Sequence, residues 1–282
     1  VNDRPIGVFD SGLGGLTVLR EIHRLLPGES TIYLGDTARV PYGGRSAETV
    51  NRYAEECAGF LARQGIKLLV VACNTASALA VDRLVTRLPV PVVGVLDPGA
   101  SRAAGLGKST VGVIGTSATV ESGAYGAAIR RFAGNRITVI ERACPLFVPL
   151  AEEGWVEGTV PRTVAETYLG DLRGSVEAVV LGCTHYPVLK DVIGEVLGGV
   201  PLIDSGVETA GAVRETLEKR GWLRQGSAGE GARQYYVTDL PQKFETLARR
   251  FIGHPVERLD RVRLGAIEQP GEAGGGVRGE TP

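Results

Sequence analysis

Short runs of apolar and β-branched residues recur along the chain at 5–9, 31–35, 68–72, 92–96, 111–115, 137–141, 177–182 and 200–204. Within each run apolarity is continuous rather than alternating, as in parallel strands covered on both faces. Between the runs the period changes to three or four residues. The clearest stretch predicts a helix over 46–64, where Val50, Tyr53, Ala54, Cys57, Phe60 and Leu61 recur on one face and Gly65 follows as a stop. Further helices are predicted over 17–26, 76–88, 121–133, 159–173, 187–197, 207–220 and 242–252, and two late strands at 234–238 and 255–260. Strand–helix alternation of this kind gives right-handed βαβ units and parallel sheets.

The pattern also echoes itself. Residues 6–12 (Ile-Gly-Val-Phe-Asp-Ser-Gly) resemble 111–117 (Val-Gly-Val-Ile-Gly-Thr-Ser), and 70–75 (Val-Val-Ala-Cys-Asn-Thr) resemble 180–185 (Val-Leu-Gly-Cys-Thr-His). The offsets are 105 residues for the first pair and 110 for Cys73 and Cys183. Two echoes in one order at nearly one offset predict two α/β domains of the same plan, although buried parallel strands resemble one another in any case. The expected division is 1–97 with 208–265 for the first domain and 98–207 for the second. Residues 224–233 read as a flexible connection, and the Gly-, Glu- and Pro-rich segment 266–282 as a disordered tail.

Composition narrows the class. With 43% apolar and 22% charged residues, the 282-residue chain is ordinary globular protein. A net charge of −1 argues against a nucleic-acid grip through bulk charge. No apolar run approaches ~18 residues, so no membrane span is expected, and a cytoplasmic location is. Four Cys without a Cys-x-x-Cys spacing exclude a disulfide scaffold and weaken a zinc site, and three His are few for metal chemistry. No metal is expected.

The chemistry then falls to particular strand ends. Cys73 follows an apolar run and precedes a helix, so it belongs at the carboxyl edge of the sheet, where open α/β sheets bind ligands. Cys183 has the same context, with Thr184, His185, Tyr186 and Pro187 after it. A free Cys is most often a buried core thiol. Two in matched positions argue against that reading here, whereas Cys57, on an apolar helix stripe, fits it. Cys144 carries no role. Two thiols facing each other across a domain interface would suit inversion at carbon, one removing a proton and the other delivering one.

Asp10-Ser11-Gly12-Leu13-Gly14-Gly15 follows the first strand. It is no dinucleotide fingerprint, because Thr17 takes the third glycine position, and no Gly-Lys-Ser/Thr follows. What remains is a turn that brings Asp10 and Ser11 to the sheet edge, or a cap. Pro41-Tyr42-Gly43 is a turn signal. Thr116-Ser117-Ala118-Thr119 ends a strand with hydroxyls that suit a carboxylate or a helix cap. Glu152 and Glu153, in a stretch that reads as irregular, look like a solvated surface pair. Arg39, Arg45 and Lys190 are anion partners in name only.

Assembled in order, these segments resemble the glutamate racemases of the cofactor-independent aspartate/glutamate racemase superfamily. The resemblance spans about 4–265. It rests on Gly7 to Leu16, Tyr33-Leu34-Gly35-Asp36, Pro41-Tyr42-Gly43, Ala72-Cys73-Asn74-Thr75-Ala76, Gly115-Thr116 with Thr119, and Leu181 to Pro187. It implies two pseudo-symmetric three-layer α/β domains with mainly parallel sheets and an active site at their interface. It implies racemisation of glutamate without cofactor or metal, supplying D-glutamate for peptidoglycan. Cys73 and Cys183 would be the proton carriers, Asp10 assisting the first and His185 with Glu152 the second. Ser11, Tyr42, Gly43, Asn74, Thr75, Thr116, Thr119 and Thr184 would hold the substrate, together with Asp10 and His185. A homodimer is compatible with the fold.

Other classes stay open at this level. A related enzyme acting on aspartate or another small acid shares the motifs. A decarboxylase needs one protonating Cys rather than two. A non-catalytic amino-acid-binding protein needs no matched thiols, and a thiol redox sensor needs sulfurs close enough for a ~2 Å bond.

Overall fold

A computed structural model describes residues 2–224, 229–240, 244–256 and 258–265. The strands, in chain order, are β1 (Ile6–Asp10), β2 (Thr31–Gly35), β3 (Leu68–Val71), β4 (Val92–Gly94), β5 (Thr110–Gly115), β6 (Thr138–Ala143), β7 (Ala178–Gly182), β8 (Leu202–Asp204), β9 (Arg233–Val237) and β10 (Asp260–Arg261). The helices are α1 (Leu16–Leu25), α2 (Ala47–Arg63), α3 (Asn74–Arg87), α4 (Leu96–Gly105), α5 (Ser117–Glu121), α6 (Ala124–Ala133), α7 (Phe147–Glu153), α8 (Thr159–Leu169), α9 (Lys190–Val196), α10 (Ser205–Lys219) and α11 (Phe244–Ile252).

The strands form two wholly parallel sheets, ordered β10-β9-β2-β1-β3-β4 and β6-β5-β7-β8. The continuous apolar runs find the environment they predict: every residue of β1, β2, β3 and β7 is buried. The sheets share one plan. In the first, the chain leaves β1 for β2 on one side and β3 on the other. In the second it leaves β5 for β6 and then β7. Each sheet therefore has a switch point, between β1 and β3 and between β5 and β7, where adjacent connections diverge and leave a crevice at the carboxyl ends. The echoed segments lie at these two crevices.

The sheets are joined by a continuous apolar core. Ile6, Leu16 and Tyr33 belong to the same buried cluster as Phe147, Leu181, Tyr186, Val213 and Phe251. Among the described residues, no helix is long and apolar enough to cross a membrane.

Several sequence expectations need correction. The 121–133 helix begins only at Ala124, as α6; the short helix α5, which was not predicted, precedes it across a break at 122–123. The predicted 187–197 helix opens as a 3-10 turn over 186–189 before α9. The 255–260 strand reduces to β10. Helices α4 and α7, which carry Pro98 and Pro149, were not predicted. Both prolines sit in a first helical turn, where a missing N–H costs nothing. The 266–282 tail and positions 225–228 of the expected connection lie outside the described residues.

Candidate active site

The site is built where the two crevices face each other. Asp10 ends β1 and is fully buried. Its Oδ2 accepts hydrogen bonds from the backbone N–H groups of Gly12 and Gly15, each at 3.0 Å. Its Oδ1 is buried without a partner. Burial pushes the carboxyl pKa up, opposed by the positive field of His185 and by the backbone N–H groups of Gly15, Gly12 and Ser11. The opposition of His185 shows that the two switch points are within electrostatic reach.

Cys73 caps the N-terminus of α3, its Sγ accepting from the N–H of Ala76 at 3.5 Å. It donates to Ser11 Oγ, also at 3.5 Å. Burial is the main cause that pushes the Cys73 thiol up to about 12. The negative field of Asp10 adds to it, and a charge on Cys183 would raise it further. The resting form of Cys73 is therefore the protonated thiol. A helix N-terminus favours a thiolate, but here desolvation outweighs it.

Across the interface, Cys183 Sγ lies 3.8 Å from His185 Nδ1, and His185 Nε2 lies 3.2 Å from Glu152 Oε1. His185 is buried, while the Glu152 side chain is 39% exposed. Burial alone would lower the imidazole pKa. Hydrogen bonds and the negative fields of Cys183 and Glu152 override it and raise His185 to about 10. Glu152 is thus not half of a solvated surface pair, as the sequence suggested. It lies on the last turn of α7, facing the imidazole, which donates to it as an imidazolium.

The remaining candidates divide into three groups. The hydroxyls of Thr75, Thr116 and Thr119 form a triangle with sides of 3.0, 3.1 and 3.0 Å, joining α3 of the first half to α5 of the second. Thr116 caps α5, so the cap and the substrate readings hold together. Asn74 is anchored by Tyr125, whose hydroxyl donates to Asn74 Oδ1 at 2.5 Å and stands 3.1 Å from Ser205 Oγ. The Asn74 amide nitrogen is buried and unpartnered. Thr184 is buried, its carbonyl accepting from Thr17 Oγ1 at 2.9 Å.

The 41–43 turn is the exception. The Tyr42 phenol is buried in the first half, donating to Asp36 Oδ2 at 2.5 Å and standing 3.8 Å from Cys57 Sγ. It is committed there, leaving the backbone of the turn to face the interface. A Cβ on Gly43 would lie 2.8 Å from Thr116 Cβ. Arg39 is likewise absorbed, pairing with Asp36 and Glu56 and stacking on the Tyr53 ring.

Gly14 lies directly against the second half. A Cβ there would meet Thr184 Oγ1 at 2.4 Å and the His185 ring at 2.5 Å. The glycine-rich turn after β1 is thus a contact surface for the second half.

Tyr125, Ser205 and Thr17 were not singled out from sequence. Their partners lie 51, 80 and 167 residues away, with no local pattern to mark them. Among the described residues, no three His, Cys, Asp or Glu side chains are grouped to hold a metal.

A family described as Asp/Glu/hydantoin racemase matches residues 6–213. The chain is 53% identical over 269 residues to a glutamate racemase of Geobacter metallireducens, covering 94% of this chain and 99% of that one. Its fold superposes on glutamate racemase from Francisella tularensis in complex with D-glutamate, with a TM-score of 0.88 at 38% identity, over 93% of this chain and 98% of that one. It also matches glutamate racemase from Thermus thermophilus in complex with β-chloro-D-alanine, with a TM-score of 0.84 at 50% identity, over the same shares of the two chains.

Proposed function

The chain belongs to the Asp/Glu/hydantoin racemase family, and from that premise we propose that it interconverts L- and D-glutamate by proton transfer at Cα between two cysteines. The observation that carries this reading is the pair of thiols at equivalent strand ends of two sheets, Cys73 hydrogen-bonded to Ser11 and in the field of Asp10, Cys183 beside His185.

One sulfur, as thiolate, takes the α-proton and becomes a thiol. The electron pair left on Cα is delocalised into the carboxylate, and the opposite thiol returns a proton to the other face. Cys183 acts on L-glutamate and Cys73 on D-glutamate. The states at rest suit the first direction: Cys73 already holds a proton to give, and His185 hands a hydrogen bond to Cys183. In the other direction Cys73 must lose its proton first, and a thiol at about 12 lies about five units above neutrality, at a cost of roughly 1.4 kcal/mol per unit. Asp10, buried beside it, receives or relays that proton, while the substrate ammonium lowers the cost by its charge.

The unpartnered Asp10 Oδ1 and Asn74 amide nitrogen, with Ser11, Thr75, Thr116, Thr119 and Thr184, provide acceptors and donors for the ammonium and the carboxylates. Tyr42 and Gly43 contribute through their backbone. The chemistry requires no cofactor. In this reading D-glutamate goes to peptidoglycan.

The test is incubation with each glutamate enantiomer in heavy water, following Cα deuterium by NMR and configuration by chiral chromatography. Inversion with deuterium uptake is expected, and its loss in Cys73→Ala and in Cys183→Ala. Full racemisation by either variant would remove the two-thiol mechanism. Faster turnover of aspartate than of glutamate would reassign the substrate.

A further inference from the structure

Helix α11 follows β9 and so belongs by chain order to the first sheet, yet its last turn grips the second half of the site. Arg250 Nη1 donates to the backbone carbonyls of Ala151 and Glu152 at 3.0 and 2.9 Å. These are terminal carbonyls of α7; that of Ala151 also accepts from the N–H of Gly154 at 3.2 Å, and a cation is favoured beside both. The guanidinium lies against Gly154, which ends α7 at φ +79°. A Cβ there would fall 2.2 Å from Nη2, so only glycine leaves room for the clamp. The next residue, Phe251, is fully buried and meets the His185 ring edge-on, with centroids 5.3 Å apart. Arg20 Nη1 in turn donates to the Phe251 carbonyl at 3.4 Å.

Glu152 occupies the last turn of a seven-residue helix. Such an end frays unless its terminal carbonyls are held. The groups facing His185 are Cys183, Glu152 and Asp10. Glu152 is the most exposed of the three, so its place depends most on outside support.

We propose that Arg250 is a positioning residue, fixing the end of α7 so that the Glu152 carboxylate stays on His185 Nε2. The proposal rests on the reading that the His185–Glu152 pair serves Cys183. Phe251 completes the fixture by setting the plane of the imidazole. In this arrangement a helix of the first half controls the proton partner of the second half's thiol.

Three full-length variants test this: Arg250→Met, Arg250→Lys and Glu152→Gln. Two quantities are read, the pH profile of kcat/KM and the titration of His185 by NMR with ring-labelled histidine. Arg250→Met is expected to lower kcat/KM about tenfold to a hundredfold. The loss is equal in both directions, because the enantiomers have equal free energy. His185 should titrate at lower pH than in the wild type, as in Glu152→Gln, and Arg250→Lys should recover part of both effects. A wild-type His185 titration and pH profile in Arg250→Met, while Glu152→Gln alters both, would overturn the proposal alone. If Glu152→Gln alters neither, the role of Glu152 in the reaction falls and the proposal falls with it. Should Arg250→Met fail to fold, Arg250→Lys decides: a wild-type titration and pH profile there, with a shorter ammonium in place of the guanidinium whose Nη1 makes both bonds, overturns it.

Discussion

Proton location is the residue-scale question, and the buried groups answer it unequally. Cys73 keeps its proton because burial and the Asp10 field oppose its loss. His185 gains one because Cys183 and Glu152 outweigh burial. A histidine with a raised folded-state pKa stabilises the fold fully below its ordinary value of 6.5, and the contribution disappears as pH rises through about 10. Glu152→Gln should therefore lower stability most below pH ~6.5, with the difference from wild type narrowing towards pH ~10. Urea unfolding of both proteins across that range checks this. A deficit that widens with pH would contradict the imidazolium assignment.

At the scale of elements, the parallel strands were legible because a strand covered on both faces must be apolar throughout, as in β1 and β7. The two Cys-bearing strand ends could be read for the same reason, together with their repeat. Helices α4 and α7 could not, since proline marks a helix start as readily as a break. The Glu152 position needed α7, and so was hidden with it. The clamp from α11 lies about a hundred residues from its carbonyls and leaves no trace in periodicity.

Another long-range tie sets how the elements close. Lys67, which precedes β3, is fully buried and pairs with Glu29 Oε2 at 2.6 Å. It also donates to the carbonyls of Asn2 and Trp222 at 2.8 and 2.9 Å. Three separate stretches of chain therefore meet on one ammonium. Lys67→Met should cost about 3–5 kcal/mol, because a buried carboxylate loses its counter-charge. Lys67→Met with Glu29→Leu should recover much of that loss. Denaturant unfolding of the single and double variants distinguishes a charge effect from lost packing, since a packing defect would persist in the double variant.

For the whole molecule, the proposed reaction draws on both sheets, because neither crevice holds both sulfurs. The Thr75–Thr116–Thr119 triangle, the Asn74–Tyr125 bond, the Arg250 clamp and the shared apolar core all cross between the halves. Inversion depends on two proton carriers being presented to one carbon from opposite sides, so the separation of the halves is itself a chemical variable.

Gly14 acts as the gauge of that separation. With no side chain, it lets the first turn of one half rest directly on Thr184 and His185 of the other. An alanine would wedge them apart by about the radius of a methyl group, leaving each crevice intact. Proton removal from Cα requires one sulfur, whereas inversion requires the second within reach before the first returns what it took. Gly14→Ala should therefore loosen the tie between exchange and inversion: solvent deuterium would enter glutamate that keeps its configuration. Comparing deuterium content with enantiomeric composition in one time course would reveal this, and an unchanged ratio would mean the halves adjust around the methyl group. A single missing carbon would then separate a racemase from a catalyst of isotope exchange.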